Sequence, residues 1–240
     1  DTIEPIKPDA VFPNYWITTH VNGTIILYPM MAPSRRNERR TDIAELLRRQ
    51  FNYTRLVDFS EHEAEERYLE GTGSMILDRV NRVVYACVGP RTDQSLLDEF
   101  CEWADYTKRS FRSVDRHGQD IYHTNVMMAI GTSFVVICLD SVPDPDERQA
   151  LLDTFEATQK TIVEISFEQM EHFAGNMLQV SNEAGEGVLV MSEQAYQSLS
   201  TDQIQTLEGH SKLLYSPIET IEKYGGGSAR CMMAEVFKPR

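Results

Sequence analysis

Hydrophobic and polar positions recur along the chain in blocks of one design. The first block is "VFPNYWITTHVNGTIILYPMMAPSRRNERRTDIAELLRRQF". Its apolar runs flank Asn22 and Gly23, a pair suited to the positive-φ backbone of a tight hairpin. A polar loop follows, and then Ile43, Leu46 and Leu47 stand at helical spacing. The pattern predicts a short strand, a turn, a second apolar strand, a polar loop and a helix.

The same design returns three times. "LEGTGSMILDRVNRVVYACVGPRTDQSLLDEFCEWADY" puts Leu96, Leu97, Phe100 and Ala104 on one helical face. "YHTNVMMAIGTSFVVICLDSVPDPDERQALLDTFEAT" opens its helix with Pro145 and Asp146. "FAGNMLQVSNEAGEGVLVMSEQAYQSLSTDQIQTLE" is the fourth block. An Asn or Gly marks the first strand of each, at Asn14, Gly71, Asn125 and Asn176, and again at Gly227. The intervals are 57, 54, 51 and 51 residues. Such a period implies units stacked or arranged around an axis. "GGGSARCMMAEVF" then reads as the opening strand of an unfinished fifth unit, with Cys231 at its start. The fold class is α/β, built of repeated ββαβ-type units.

Most apolar positions in these strands require only core packing. The markers differ, because Gly and Asn weaken strand interiors and accompany kinks or a close approach to a ligand. If the units surround an axis, the markers converge on a small polar channel. Beside them stand Asp9 and Asn14, Glu70, His123 with Asn125, Asn176, and Cys231.

Composition narrows the function classes. A chain of 240 residues with 41% apolar and 25% charged residues is an ordinary globular protein of one large domain or two small ones. Its net charge of −14 leaves no basic surplus for nucleic acid or an anionic membrane. No apolar run approaches a membrane span, and "DTIEPIKPDAVFP" lacks a secretory leader's basic and apolar regions. The four cysteines form no CxxC pair and no zinc-like spacing, which points to a reduced, cytoplasmic setting.

A thiol, an imidazole and a carboxylate drawn from three repeats compose a nucleophilic site. The thiolate attacks, a nearby His⁺ lowers its pKa, and histidine exchanges protons near neutral pH. A carboxylate can hold the N–H groups of a planar amide-like or guanidine-like substrate. Each residue alone also has a structural reading: a buried thiol, a satisfied histidine, a solvated glutamate. Cys87, Cys101 and Cys138 lie in apolar strand or helix settings and read as structural.

"PDAVFPNYW", "APSRR", "LEGTGS", "GPRTD", "YHTNVMM" and "GGGSARCM" occur in the order found in the guanidino-group-modifying superfamily. That superfamily contains arginine deiminases, dimethylarginine dimethylaminohydrolases and amidinotransferases. The chain resembles most closely the bacterial citrulline hydrolases, over nearly its whole length. The resemblance implies a five-bladed α/β propeller (pentein) forming one catalytic domain over residues 1–240, with its last blade incomplete. It implies Cys231 as nucleophile, His123 as general acid/base, and Glu70 as the carboxylate that binds substrate and orients the histidine. Asp9 falls on the aspartate that holds the substrate's terminal nitrogens, and Arg35 and Arg91 on arginines that hold its α-carboxylate. Arg36, Arg39 and Arg40 read as surface charges.

Two departures from the family pattern bear on function. Dimethylarginine hydrolases carry a second acid where this chain has Asn14. A guanidinium favours two carboxylates, whereas a neutral ureido group offers a carbonyl that an Asn amide can face. Family members also carry an additional N-terminal segment, so the chain is expected to be truncated, processed or completed by a separate polypeptide. The expected reaction is hydrolysis of L-citrulline to L-ornithine, ammonia and carbon dioxide through a covalent cysteine adduct, with the backbone of residues 225–228 steadying the oxyanion and no metal or cofactor. Arginine deiminase or dimethylarginine dimethylaminohydrolase activity is one alternative, and a non-catalytic ligand-binding propeller another. The expected partner is a small amino acid substrate; a homodimer is the family-level expectation.

Overall fold

The computed structural model describes residues 4–239. Four three-stranded sheets follow one another along the chain. In the first, β1 (Ile17–Thr19) pairs antiparallel with β2 (Thr24–Leu27), the chain crosses through helix α1 (Thr41–Phe51), and β3 (Arg55–Asp58) returns parallel to β2. The second repeats the plan with β4 (Ile76–Asp78), β5 (Val83–Cys87), helix α2 (Gln94–Ala104) and β6 (Thr107–Phe111). The third uses β7 (Met128–Ile130), β8 (Phe134–Ile137), helix α3 (Pro145–Ala157) and β9 (Thr161–Glu164). The fourth uses β10 (Leu178–Ser181), β11 (Gly187–Ser192), helix α4 (Thr201–Glu208) and β12 (Lys212–Ser216).

Local chemistry accounts for these elements. The central strands "TIIL", "VVYAC" and "FVVI" are buried throughout, as apolar runs covered on both faces must be. Gly23 takes φ +79° in the hairpin between β1 and β2. Asp93 and Asp144 accept hydrogen bonds from the first-turn N–H groups of α2 and α3, and Pro145 occupies the first turn of α3. Ser200 and Gln203 form a capping box on α4. Leu96, Leu97 and Phe100 are fully buried on α2. On α1 the expected face holds only in part: Leu47 packs against the core and Ala44 is buried, while Ile43 and Leu46 are exposed.

The markers do not lie inside strands. Asn14, Gly71 and Asn125 sit in single helical turns, Pro13–Tyr15, Gly71–Ser74 and Thr124–Met127, that lead into the first strand of each unit. These turns touch in chain order. Thr72 Oγ1 donates to the Asn14 carbonyl at 3.2 Å, Thr124 Oγ1 to the Ser74 carbonyl at 2.6 Å, and Asn176 Nδ2 to the Asn125 carbonyl at 2.8 Å. The Arg230 N–H closes on Asn176 Oδ1 at 3.1 Å. Gly71 combines a positive φ with a close approach: at φ +46° a Cβ would lie 2.6 Å from the Asn14 carbonyl oxygen, so only glycine fits.

The expected fifth opening strand is absent among the described residues. After the helix Glu219–Gly225, the N–H groups of Cys231, Met232 and Met233 bond three residues back, to Ser228, Ala229 and Arg230, at 3.0, 3.2 and 3.2 Å. Cys231 therefore sits in a tight turn, not at a strand start. The following residues run beside the first sheet, where Thr19 Oγ1 donates to the Glu235 carbonyl and accepts from the Phe237 N–H, each at 2.9 Å.

Candidate active site

Glu70, His123 and Cys231 are all buried, at 0%, 1% and 1% exposure. Glu70 precedes the Gly71–Ser74 turn and His123 precedes Thr124–Met127, so two equivalent turns aim their side chains at one place. His123 Nε2 lies 2.6 Å from Glu70 Oε2. The other carboxylate oxygen accepts the Met31 N–H at 2.9 Å, and Arg91 donates to Oε2 at 3.2 Å.

These contacts set the protonation states. Burial works to raise the Glu70 carboxyl, but His123, Arg91 and the Met31 N–H outweigh it and hold it at about 2. Burial lowers the His123 imidazole, against the opposing pull of Glu70. His123 is therefore neutral at rest and Glu70 ionised by its arginine and backbone donors. Nε2–H donates to the carboxylate, which leaves Nδ1 as the free base, buried and without a partner. The expected imidazolium beside the thiol is replaced by neutral donors. Tyr15 Oη donates to Cys231 Sγ at 2.8 Å, Asn176 Nδ2 at 3.3 Å and Asn125 Nδ2 at 3.4 Å.

The remaining expected residues divide. Asn14 is fully buried, and neither atom of its amide has a partner. Arg91 reaches Glu70 and lies over the Tyr122 ring, with 29% of its side chain exposed. Arg35 is buried and engaged: Nε and Nη2 donate to Glu38 at 3.0 and 2.8 Å, and Nη2 donates to the carbonyls of Asp9 and Phe12, both at 3.3 Å. Asp9 thus meets Arg35 through its backbone, and burial together with the Asp9 and Glu70 charges raises the Glu38 carboxyl against Arg35. Arg36 and Arg39 are not idle surface charges, since both pair with Glu63; Arg40 pairs with exposed Asp42. In the turn expected to steady an oxyanion, the Gly226 N–H is taken by the Glu222 carbonyl at 3.0 Å. Cys87, Cys101 and Cys138 are free buried thiols, each pushed up to about 11 by burial.

Tyr15 is the residue that sequence reasoning missed. Its ring stacks on His123 with centroids 4.6 Å apart and planes 26° apart. An aromatic inside "FPNYW" carries no signal beyond core packing; only its place beside the Asn14 marker set it apart. A separate cavity of about 220 Å³ is lined by Thr72, Asp78, Arg79, Gln179, Arg230 and Glu235, but not by Glu70, His123 or Cys231. No helix among the described residues is long and apolar enough to cross a membrane.

Four ββαβ units whose leading turns hold a carboxylate and an imidazole, with a buried thiol in the turn that follows the last helix, define a protein of the guanidino-group-modifying pentein superfamily. A family model described as N,N dimethylarginine dimethylhydrolase, eukaryotic, matches residues 2–238, and the chain belongs to that family. It is thereby homologous to cysteine-dependent hydrolases acting on guanidino C–N bonds. A search of curated protein sequences finds no match. Among solved structures, the chain is similar to the N-terminal domain of ArgZ, an arginine dihydrolase from the ornithine–ammonia cycle in Cyanobacteria, as a cysteine-to-serine mutant bound to substrate. The identity is 19% and the TM-score 0.73, over 97% of this chain and 78% of that one. It is also similar to AgrE in complex with ornithine and NAD+, at 20% identity and TM-score 0.74, over 98% of this chain and 31% of that one. A dimethylarginine dimethylaminohydrolase adduct with S-methyl-L-thiocitrulline matches at 16% identity and TM-score 0.65, over 94% of this chain and 76% of that one. At these identities the likeness is one of fold.

Proposed function

We propose that the protein hydrolyses a guanidino- or ureido-bearing amino acid through Cys231, and that its substrate is L-citrulline. The observation that carries the reading is the linked pair His123–Glu70 buried across the Tyr15 ring from a thiol that three neutral donors surround. In this scheme the free Nδ1 of His123 takes the thiol proton, and the sulfur adds to the planar substrate carbon. The imidazolium, held by Glu70, returns that proton to the leaving nitrogen as its C–N bond breaks. His123 then deprotonates water, which adds to the sulfur-bound carbon and displaces the thiolate; the carbon leaves as a carbamic acid, which loses carbon dioxide and so frees the second nitrogen, and the imidazolium returns its proton to sulfur. One citrulline and one water give ornithine, ammonia and carbon dioxide. Asp9, Asn14, Arg35 and Arg91 belong to the substrate-binding side of the proposal.

Citrulline is preferred on charge. Both Glu70 oxygens are engaged by His123, Arg91 and the Met31 N–H, so a guanidinium lacks the pair of free carboxylates it needs. The unpartnered Asn14 amide offers both a donor and an acceptor, the complement of a ureido group. Arginine is the second reading, favoured by the arginine dihydrolase among the similar folds. We also read the four sheets as blades of a five-bladed propeller forming one catalytic domain; the ordered contacts between leading turns and the return of residues 235–237 to the first sheet support it.

Purified protein offered citrulline, arginine and dimethylarginine separately tests the function. Ornithine from citrulline is the expected product. Consumption of arginine with no ornithine from citrulline overturns the substrate choice, and inertness toward citrulline, arginine and dimethylarginine alike overturns the hydrolase reading.

A further inference from the structure

The sulfur and the imidazole do not face an open cleft, because Tyr15 lies between them. Its hydroxyl donates to Cys231 Sγ at 2.8 Å while its ring stacks on His123 at 4.6 Å. The Arg35 guanidinium carbon lies 4.6 Å from the same ring centroid and is itself fixed by Glu38. The ring also beds on bare backbone: a Cβ at Gly73 would lie 2.4 Å from it. Tyr15 is 5% exposed, and it stays protonated because burial and the neighbouring sulfur raise its pKa.

Attack on a planar carbon requires that carbon at roughly 3–3.5 Å from the sulfur, with the leaving nitrogen in reach of the imidazole. The phenol already holds the hydrogen-bond position on the sulfur and the stacking position on the imidazole. Ring and substrate group cannot share that space. We infer that Tyr15 is a gate and a selectivity residue: at rest its phenol occupies the berth of the substrate's planar group, and it swings out before Cys231 reacts.

The gate favours one chemical class. An entering group that replaces the phenol must recover both a stack on His123 and a hydrogen bond to sulfur. A flat, sp²-centred group carrying N–H donors does so, as ureido and guanidino groups are; an aliphatic ammonium does not. The inference rests on Cys231 being the reactive thiol of the proposed hydrolase.

Alkylation of Cys231 by iodoacetamide, located by peptide mass, measures the opening without requiring turnover. Rates are compared on the alkaline plateau of each pH–rate profile, so that a change in thiol acidity does not imitate a change in access. Tyr15→Phe keeps the ring and removes the O–H···S bond, and Tyr15→Ala removes both. A hydrogen bond and an aromatic stack are each worth about one factor of ten in the opening equilibrium. Cys231 is therefore expected to react about tenfold faster in Tyr15→Phe and about a hundredfold faster in Tyr15→Ala. Wild-type rates in both variants overturn the gate. If Tyr15→Ala loses its fold, all four thiols label together and Tyr15→Phe decides alone: acceleration confined to Cys231 sustains the inference, and an unchanged rate ends it. Acceleration without hydrolysis of citrulline, arginine or dimethylarginine would remove the proposed function and leave the gate standing.

Discussion

Lys160 Nζ lies 2.9 Å from Asp78 Oδ2, with both side chains sealed from solvent, and the pair joins the third unit to the second. The ammonium also donates to the carbonyls of Gly131 and Thr132 at 3.0 and 2.8 Å, and Asp78 accepts twice from Asn81. Both carboxylate oxygens accept hydrogen bonds, and the ammonium has three oxygen partners. Lys160→Met strands the carboxylate and is expected to lower unfolding stability by about 3–5 kcal/mol in urea. Pairing it with Asp78→Leu recovers a large part of that loss. A Lys160→Met protein as stable as wild type contradicts the assignment.

Glu70 and His123 together shape the acid limb of stability. The carboxyl is held at about 2 in the fold, below the ordinary carboxylate range, so its contribution is present near neutrality and is lost as the pH falls from about 5 toward 2. His123 acts in the same direction: its imidazole is lowered by burial, so the unfolded chain binds the proton more readily below about pH 6.5 and stability falls there too. In Glu70→Gln the loss between pH 6 and pH 3 should shrink by about 2 kcal/mol relative to wild type. Parallel curves for the two proteins would show that Glu70 is not held ionised by the fold.

Cys231→Ala removes the proposed nucleophile without touching the other thiols. Turnover should drop by at least about ten-thousandfold, the scale seen when a covalent catalyst loses its attacking atom. Citrulline binding measured by calorimetry should change less than about tenfold. Residual turnover near the wild-type rate is the contrary result.

Asn14→Asp converts a neutral amide into an acid at a buried position. The ratio of kcat/KM for arginine to that for citrulline should rise by about tenfold to a hundredfold, because an unmatched buried polar group costs about 1–3 kcal/mol. A ratio that does not move places Asn14 outside substrate choice.

The parts of this molecule that repeat were readable from its sequence. Leu96, Leu97 and Phe100 at helical spacing, Pro145 opening a helix, and Asn22 and Gly23 between apolar runs each encode a local geometry that the fold uses. The spaced markers also foretold a meeting point, since Asn125 and Asn176 both reach the sulfur. Periodicity placed Leu47 against the core but could not reveal the exact turn of α1, because the small Ala44 is its buried position while Ile43 and Leu46 lie outside. Nor did apolar content distinguish a strand from the turn at Cys231: Met232 and Ala234 are half-buried against the first core whichever backbone carries them. Tyr15 was hidden for a third reason. Its role arises from contacts with His123 and Cys231, 108 and 216 positions away.

The sulfur's three donors lie 216, 106 and 55 positions away along the chain, in three different units. Contacts of such long sequence separation form late and slowly during folding. A partly folded chain therefore carries an unsupported thiol, and the three donors meet at one sulfur only when distant units have assembled. Their convergence on this single atom marks the completion of maturation.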